Sequence, residues 1–287
     1  MIDANSKKNM KLGLSVLIAV YEGEKPDFLE QCLRSLENQT LKANEVVLVE
    51  DGIIPLELKS IIETFRTKLN IRSLILDNNV GLAGALNAGL KVCNHNLIAR
   101  MDSDDISLPE RLETQLKVFN GPEAPDVLGA YAQEIDAASQ KGRVRRVPSS
   151  HSEIYSCLYA SPFIHPTIVF KKSSIEKLGG YNEGLRRRQD YDLWFRAAKS
   201  GLKFRNIPEV LLLYRFDKSS HRKQSRSMLF QQGLIGLNGV RMVGQPIWKG
   251  FLSFVPFARG LLPHALQHNV YNFLKKFDPR ERAGDEM

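Results

Sequence analysis

Short apolar runs alternating with helical stripes constrain this chain more than anything else in it. Leu14–Val20 (LSVLIAV), Glu45–Val49 (EVVLV), Ile71–Leu76 and Asn96–Arg100 read as strands. The first two are continuously apolar, which marks strands covered on both faces. Between them Phe28, Leu29, Cys32, Leu33 and Leu36 fall on one helical stripe. Leu58, Ile61, Ile62, Phe65 and Leu69 form a second stripe, and Leu82, Ala85, Leu86 and Leu90 a third. Strand and helix alternating at this spacing predict an α/β fold: a mostly parallel sheet flanked by helices. Such sheets bind ligands beyond the carboxyl ends of their strands. The loops that matter are therefore those around Tyr21, at Glu50-Asp51-Gly52, at Asp77 to Gly81 and at Asp102 to Asp105.

Beyond Ser107 the alternation weakens. Ser107 and Glu110 have capping-box spacing with Pro109 between them, which predicts a helix running to about Phe119. Gly142–Pro148 (GRVRRVP) reads as a basic loop, Thr167–Phe170 as a strand, Asp190–Lys199 as a helix and Val210–Tyr214 as a strand. From Ser225 the character changes. The expected division is a domain over 12–224 and a basic, aromatic-rich C-terminal helical extension over 225–287. The stretch from Trp248 to Lys276 fits two readings: a segment lying in a membrane interface, or a helical hairpin packed on the domain or on a second subunit.

Composition narrows the class. The 287 residues are 43% hydrophobic and 25% charged, an ordinary globular balance that excludes disorder for the bulk of the chain. A net charge of +8 favours anionic partners. Cys32, Cys93 and Cys157 are scattered, which suggests a reducing compartment rather than a disulfide framework or a zinc site. Leu12–Val20 is apolar but far shorter than the roughly 20 residues of a membrane span. Neither a secretory leader nor a transmembrane helix is expected.

Met101-Asp102-Ser103-Asp104-Asp105 is the strongest chemical feature. Three carboxylates within four residues repel one another, and a divalent cation relieves that repulsion. The bland alternative is a solvated acidic turn with Asp105 or Ser107 capping the next helix. Glu50-Asp51 suits hydrogen bonds from a nucleobase or ribose, or a simple turn before Gly52. Asn79 to Gly89 (NVGLAGALNAG) places small residues where backbone approaches a ligand, or where helix packs closely on sheet. Asp190 by itself reads as a helix N-cap.

Taken in order, AVYEG, VLVEDG, NNVGLAGALNAG and LIARMDSDDISLPERLETQ resemble the family 2 glycosyltransferases of the GT-A fold. FIHPTIVFKKSSIEKLGGYNE and RRRQDYDLWFRAAKSGLKFRNIPEVLLLYR resemble the family's later segments. The resemblance spans about Leu14 to Ser220 and is nearest to the bacterial exopolysaccharide and O-antigen type, including amylovoran-biosynthesis enzymes. It implies that Asp104 binds a divalent metal, Mn2+ or Mg2+, with Asp102 near both metal and ribose. A further ligand would be Asp217 or His221. It implies that Ala19, Tyr21, Glu22, Glu50 and Asp51 meet the nucleoside; Asn79, Gly81, Asn87 and Arg100 are further candidates for the donor site, read from the residues. Gln189-Asp190 matches the family's Glu-Asp motif and makes Asp190 the general base. The chain departs from the pattern at Glu22, where the family usually has Asn, at Glu50, where it has Asp, and at Gln189, where it has Glu.

The implied reaction moves a sugar from a nucleotide-diphosphate sugar, with UDP favoured, to a hydroxyl of a saccharide acceptor. Attack opposite the leaving diphosphate inverts the anomeric centre, and the base removes the hydroxyl's proton as it attacks. The implied setting is bacterial surface polysaccharide synthesis on a polyprenyl-diphosphate-linked acceptor, in the cytoplasm or peripherally on an anionic inner-membrane face. Arg100, Arg215 and the Arg143 to Arg146 cluster are candidates for phosphates of donor or acceptor, and His165 and Trp194 for the acceptor site. The competing class is a non-catalytic GT-A-like module that binds a membrane or a partner. A dinucleotide oxidoreductase needs a glycine-rich turn after the first strand, and Ala19–Pro26 has only Gly23. No basic-aromatic platform supports nucleic acid as a partner. A glycosidase needs a carboxylate pair flanking a sugar bond, not three clustered acids on a nucleotide-type sheet.

Overall fold

The chain is described from a computed structural model over residues 12–216, 225–262 and 280. Strands β1 (Leu14–Val20), β2 (Glu45–Glu50), β3 (Ile71–Ile75) and β4 (Leu97–Arg100) pair in parallel in the order β3-β2-β1-β4. Helices α1 (Pro26–Glu37), α2 (Leu56–Phe65) and α3 (Gly81–Val92) connect them. The two faces of β1 divide by the strand's period of two. Leu14, Val16, Ile18 and Val20 pack with Leu29 and Leu33 of α1 and Phe65 of α2, whereas Leu17 packs with Ala85, Leu86 and Leu90 of α3. Strand order reverses between β1 and β4, so the carboxyl ends of β1, β2 and β4 surround one crevice.

The second half extends the sheet as β4-β8-β6-β9-β5, with β7 on β6. These strands are β5 (Ile106–Ser107), β6 (Val127–Ile135), β7 (Lys141–Arg145), β8 (Val169–Lys171) and β9 (Phe204–Arg215). Strand β8 runs antiparallel to both β4 and β6, and β9 runs parallel to β6. The helices here are α4 (Arg111–Phe119), α5 (His151–Ser156), α6 (Lys172–Lys177) and α7 (Gln189–Lys199).

Three local expectations are corrected. Ser107 does not cap a helix. It is extended in β5 opposite Leu212, its hydroxyl accepts from Arg111 Nη1 at 3.0 Å, and α4 starts only at Arg111. The basic stretch after Lys141 is not all loop, because Lys141–Arg145 pairs with β6. Thr167 lies in a 3-10 turn before β8, where its hydroxyl accepts from Ala130 N at 3.1 Å.

The described part of the C-terminal extension forms α8 (Arg226–Met242), α9 (Ile247–Leu252) and α10 (Val255–Gly260). It packs on the domain. Val240 is buried in the same cluster as Trp194 and Phe195, and Tyr155 Oη donates to Val243 O at 2.8 Å. Gly233, Gly236 and Gly239 form a stripe along α8. A Cβ at these positions would overlap Phe254, Ser253 and Phe195 in turn. No helix among the described residues is long and apolar enough to cross a membrane. Overpacking of this kind costs roughly 1–3 kcal/mol. Gly239→Ala is therefore expected to lower the thermal midpoint by a few degrees; an unchanged midpoint would show that Phe195 is free to move aside.

Candidate active site

The site begins where β4 ends. Arg100 is its last residue and is buried, with only 1% of its surface exposed. Its Nη1 donates to Asp102 Oδ2 at 2.9 Å, and its Nη2 donates to the other oxygen of the same carboxylate. Arg111 of α4, equally buried, donates to the Arg100 carbonyl at 2.8 Å. Burial, and then the neighbouring Arg100 charge, bring the Arg111 guanidinium down to about 10. From the far side Arg215, at the end of β9, closes the turn. Its backbone N–H donates to Asp105 Oδ1 at 2.7 Å and its Nε to the Asp104 carbonyl at 2.8 Å. Its guanidinium lies 3.9 Å above the Phe28 ring. Arg215 is thus a clamp on the acidic turn rather than a phosphate contact.

The turn gathers carboxyl oxygens of Asp102, Asp104 and Asp105 within 4.8 Å of one another. Asp105 Oδ2 is buried and has no hydrogen-bond partner. Glu24, from the loop after β1, accepts from Ser103 Oγ and adds a fourth acid. Burial first, then Asp102 and Glu24, push the Asp104 carboxyl up to about 7. Burial, then Asp102 and Asp104, raise Asp105 well above the usual carboxylate range. An all-oxygen set with an unpartnered buried oxygen fits a hard divalent cation.

The neighbouring loops shape a cleft of about 820 Å³. Asp51, buried at the end of β2, accepts from Val80 N at 2.7 Å and Gly81 N at 3.0 Å, while Asn79 Nδ2 donates back to its carbonyl. Gly81 holds φ at +83°, a region disfavoured for residues with a Cβ. Ala19, Tyr21, Asp51, Asn79, Gly81, Arg100 and Asp102 all line the cleft, and Tyr21 is 49% exposed there. Asp190, in the first turn of α7, lines the same cleft. It is not the N-cap: that position is Arg188.

Other expected residues lie elsewhere. Glu50 is buried under Asp51 with an unpartnered Oε2, and Glu22 is exposed; neither lines the cleft. Asn87 is taken up by structure: its amide donates to Tyr181 O and Glu183 Oε1 and accepts from Tyr181 N. His165 lines the cleft, yet its Nε2 is bonded to Tyr181 Oη at 2.9 Å, and burial followed by Arg100 holds its pKa well below the usual value. Trp194 is core, fully buried and 4.9 Å from the Phe163 ring. Asp217 and His221 lie outside the described residues. Glu24 and the Arg111 brace were not anticipated; an acid three residues beyond Tyr21 is the one signal the sequence offers for Glu24.

Residues 15–190 match Glycosyl transferase family 2. The chain belongs to that family. This family 2 glycosyltransferase is 42% identical over 202 residues to the amylovoran biosynthesis glycosyltransferase AmsE of Erwinia amylovora, covering 70% of this chain and 75% of the relative. Over 212 residues it is 37% identical to the UDP-Gal:alpha-D-GlcNAc-diphosphoundecaprenol beta-1,3-galactosyltransferase of Escherichia coli, covering 73% and 76%. Its fold is GT-A-like. The mannosyltransferase PcManGT from Pyrobaculum calidifontis, solved in complex with GDP-Man and Mn2+, superposes with a TM-score of 0.61 at 13% identity, over 96% of this chain and 86% of that one.

The crowded acids make a pH prediction. A carboxyl whose folded pKa is raised stabilises the fold below its unfolded value near 3.8, and that contribution is lost as pH rises through about 7. Asp104→Asn is therefore expected to raise the thermal midpoint of chelator-treated protein at pH 8 by several degrees, about 1–2 kcal/mol after solvent screening. The gain should shrink as pH falls toward 4. An equal midpoint for both proteins across that range would contradict the raised pKa.

Proposed function

We propose that this glycosyltransferase moves a sugar from a UDP-sugar to a hydroxyl of a lipid-linked saccharide during bacterial surface polysaccharide synthesis, with inversion and with a divalent metal. The observation that carries the reading is the acidic turn at the end of β4 sharing one cleft with Asp190. The 37% identical galactosyltransferase, whose name specifies a UDP-sugar donor and a diphosphoundecaprenol-linked acceptor, supports the donor and the acceptor class.

Asp102 and Asp104 would hold Mn2+ or Mg2+, whose charge offsets the charge growing on the leaving diphosphate. Arg100 fixes the Asp102 carboxylate from behind. Tyr21 offers an exposed ring face at the cleft wall to the base, and Asp51 fixes the Asn79–Gly81 loop beside it. Asp190 accepts the proton of the attacking hydroxyl. A neutral carboxamide there keeps the shape and removes the acceptor of that proton. Asp217 or His221 remains the proposed further metal ligand. The place of work is the cytoplasm, at the inner membrane where lipid-linked saccharides reside, with no role for nucleic acid. The non-catalytic module reading gains no support from a cleft that keeps Asp102 and Asp190 together.

Thermal unfolding against nucleoside diphosphates should show a midpoint rise with UDP that needs Mn2+ or Mg2+ and disappears in Asp104→Ala. Asp190→Asn should keep that rise while transfer to a lipid-saccharide extract falls by about 10²–10⁴. Transfer undiminished in Asp190→Asn would remove it as the base. A metal-independent UDP shift would remove the metal from the donor site.

A further inference from the structure

The donor site and the base leave one nearly buried side chain of the cleft without a role. His165 stands in the 3-10 turn before β8, and that turn is held from three sides. Thr167 Oγ1 donates to Ile164 O at 2.7 Å, buried Gln115 of α4 donates through Nε2 to Thr167 O at 2.7 Å, and the Ile168 carbonyl accepts from Arg100 N at 2.9 Å. His165 is only 9% exposed, yet it lines the cleft together with Arg100, Asp102 and Asp190.

The surroundings decide which ring nitrogen carries the proton. Nε2 lies 2.9 Å from Tyr181 Oη. Tyr181 is 2% exposed, and its hydroxyl has no other hydrogen-bond partner among the described residues. A buried hydroxyl proton needs an acceptor, and Nε2 is the one within reach. Tyr181 therefore donates, Nε2 accepts, and the ring proton sits on Nδ1. Asn87 fixes Tyr181 in turn: Tyr181 N donates to Asn87 Oδ1 at 2.8 Å, and Asn87 Nδ2 donates to Tyr181 O at 2.9 Å. The Trp194 ring packs against the imidazole, with centroids 6.1 Å apart. Burial, then the Arg100 charge, hold the His165 pKa well below the usual value, so the ring stays uncharged.

His165 Nδ1 has no hydrogen-bond partner among the described residues. It is not an enclosed atom either, so its free surface belongs to the cleft that the residue lines. The cleft thus contains one oriented, neutral N–H donor. Phosphate oxygens are best matched by cations, whereas sugar hydroxyls are matched by neutral polar groups. On the proposed function, the transferred sugar lies between the acidic turn and Asp190. His165 shares the cleft with both.

We infer that His165 Nδ1–H donates to a hydroxyl oxygen of the transferred sugar, which makes His165 a specificity-determining residue for the donor, with Tyr181 and Asn87 as its positioning residues. A site built around such a bond rejects a sugar that lacks the matching oxygen. The inference rests on the donor reading proposed above.

Two measurements test it, and the first needs no ligand. Nitrogen NMR of protein carrying isotope-labelled histidine, with the His165 signals assigned by their loss in His165→Asn, should show a protonated Nδ1 and an unprotonated Nε2 near neutral pH. Tyr181→Phe should abolish that preference. A proton on Nε2 overturns the inference. The second is calorimetric titration of the full chain, in Mn2+, with UDP, UDP-galactose, UDP-glucose, UDP-N-acetylglucosamine and UDP-N-acetylgalactosamine. The sugar nucleotide that the wild type binds most tightly should bind His165→Phe about three- to tenfold more weakly, the size of one neutral hydrogen bond, while UDP itself changes by less than about twofold. His165→Asn, whose amide N–H stands near the Nδ1 position, should recover most of that loss, which a ring needed only for packing would not allow. Tyr181→Phe should weaken the same sugar nucleotide by at least about twofold and spare UDP, so the test does not depend on His165→Phe folding. Equal weakening of UDP and the sugar nucleotide, or weakening of neither, overturns the inference. So does a loss confined to the KM of a lipid-saccharide acceptor, because His165 would then serve the acceptor. If UDP does not bind the wild type, the donor reading fails and takes the inference with it. If UDP binds and no sugar nucleotide does, or the His165 pattern is missing, the inference fails alone.

Discussion

Everything at the active centre depends on holding acids together against their repulsion. The structure does this from behind. Arg100, Arg111 and Arg215 are all buried, and each anchors a different strand or helix end to the turn after β4. They neutralise the back of the turn and satisfy its backbone. Within the turn, Asp105 keeps a buried unpartnered oxygen and the Asp104 carboxyl is raised. A buried charge cluster of this kind is costly unless its partners are complete. On the proposed function, a cation would complete it, and the same crowding of acids that costs stability would favour a metal at this turn.

The sheet explains why this turn meets the other loops. Because β1 and β4 are neighbours while β2 and β3 lie on the other side of β1, three strand ends open into one crevice. Asp51 then ties the end of β2 to the start of α3, so the loop from Asn79 to Gly81 is fixed by a carboxylate rather than left to pack by itself. The antiparallel β8 and the long β9 bring Arg215 and the arginines of β7 to the same side. Met228, Leu229, Pro256 and Arg259 of the C-terminal helices line the remaining wall, and Gly239 of α8 packs closely against Phe195 of α7.

The first half of the fold was legible because its information is local. Leu14–Val20 and Glu45–Val49 are apolar throughout, and strands buried on both faces have no other way to look. The second half was harder because its pairing is long-range. Lys141–Arg145 carries no apolar pattern and becomes a strand only because β6 needs a partner. Ser107 and Glu110 have the spacing of a cap, but Leu212, far along the chain, draws Ser107 into extended pairing. Within the site, clustered Asp102, Asp104 and Asp105 announced themselves. The role proposed for Asp190 rests on resemblance, since a lone Asp at a helix start is usually a cap. Asn87 misled because its small-residue surroundings suggest a ligand, while its amide is used to hold Tyr181. The braces Arg111 and Arg215 were invisible as braces, since an arginine does not declare which distant carbonyl it will meet.

The central claim is that the acidic turn is a metal site serving a nucleoside diphosphate. The most direct test is anomalous diffraction at the manganese edge from crystals grown with UDP and Mn2+. The account predicts one strong anomalous peak within about 2.2 Å of an Asp104 oxygen, bridging to the diphosphate, and no such peak in Asp104→Ala crystals. A bound UDP with no anomalous density at the turn, or manganese held away from Asp102 and Asp104, would contradict it.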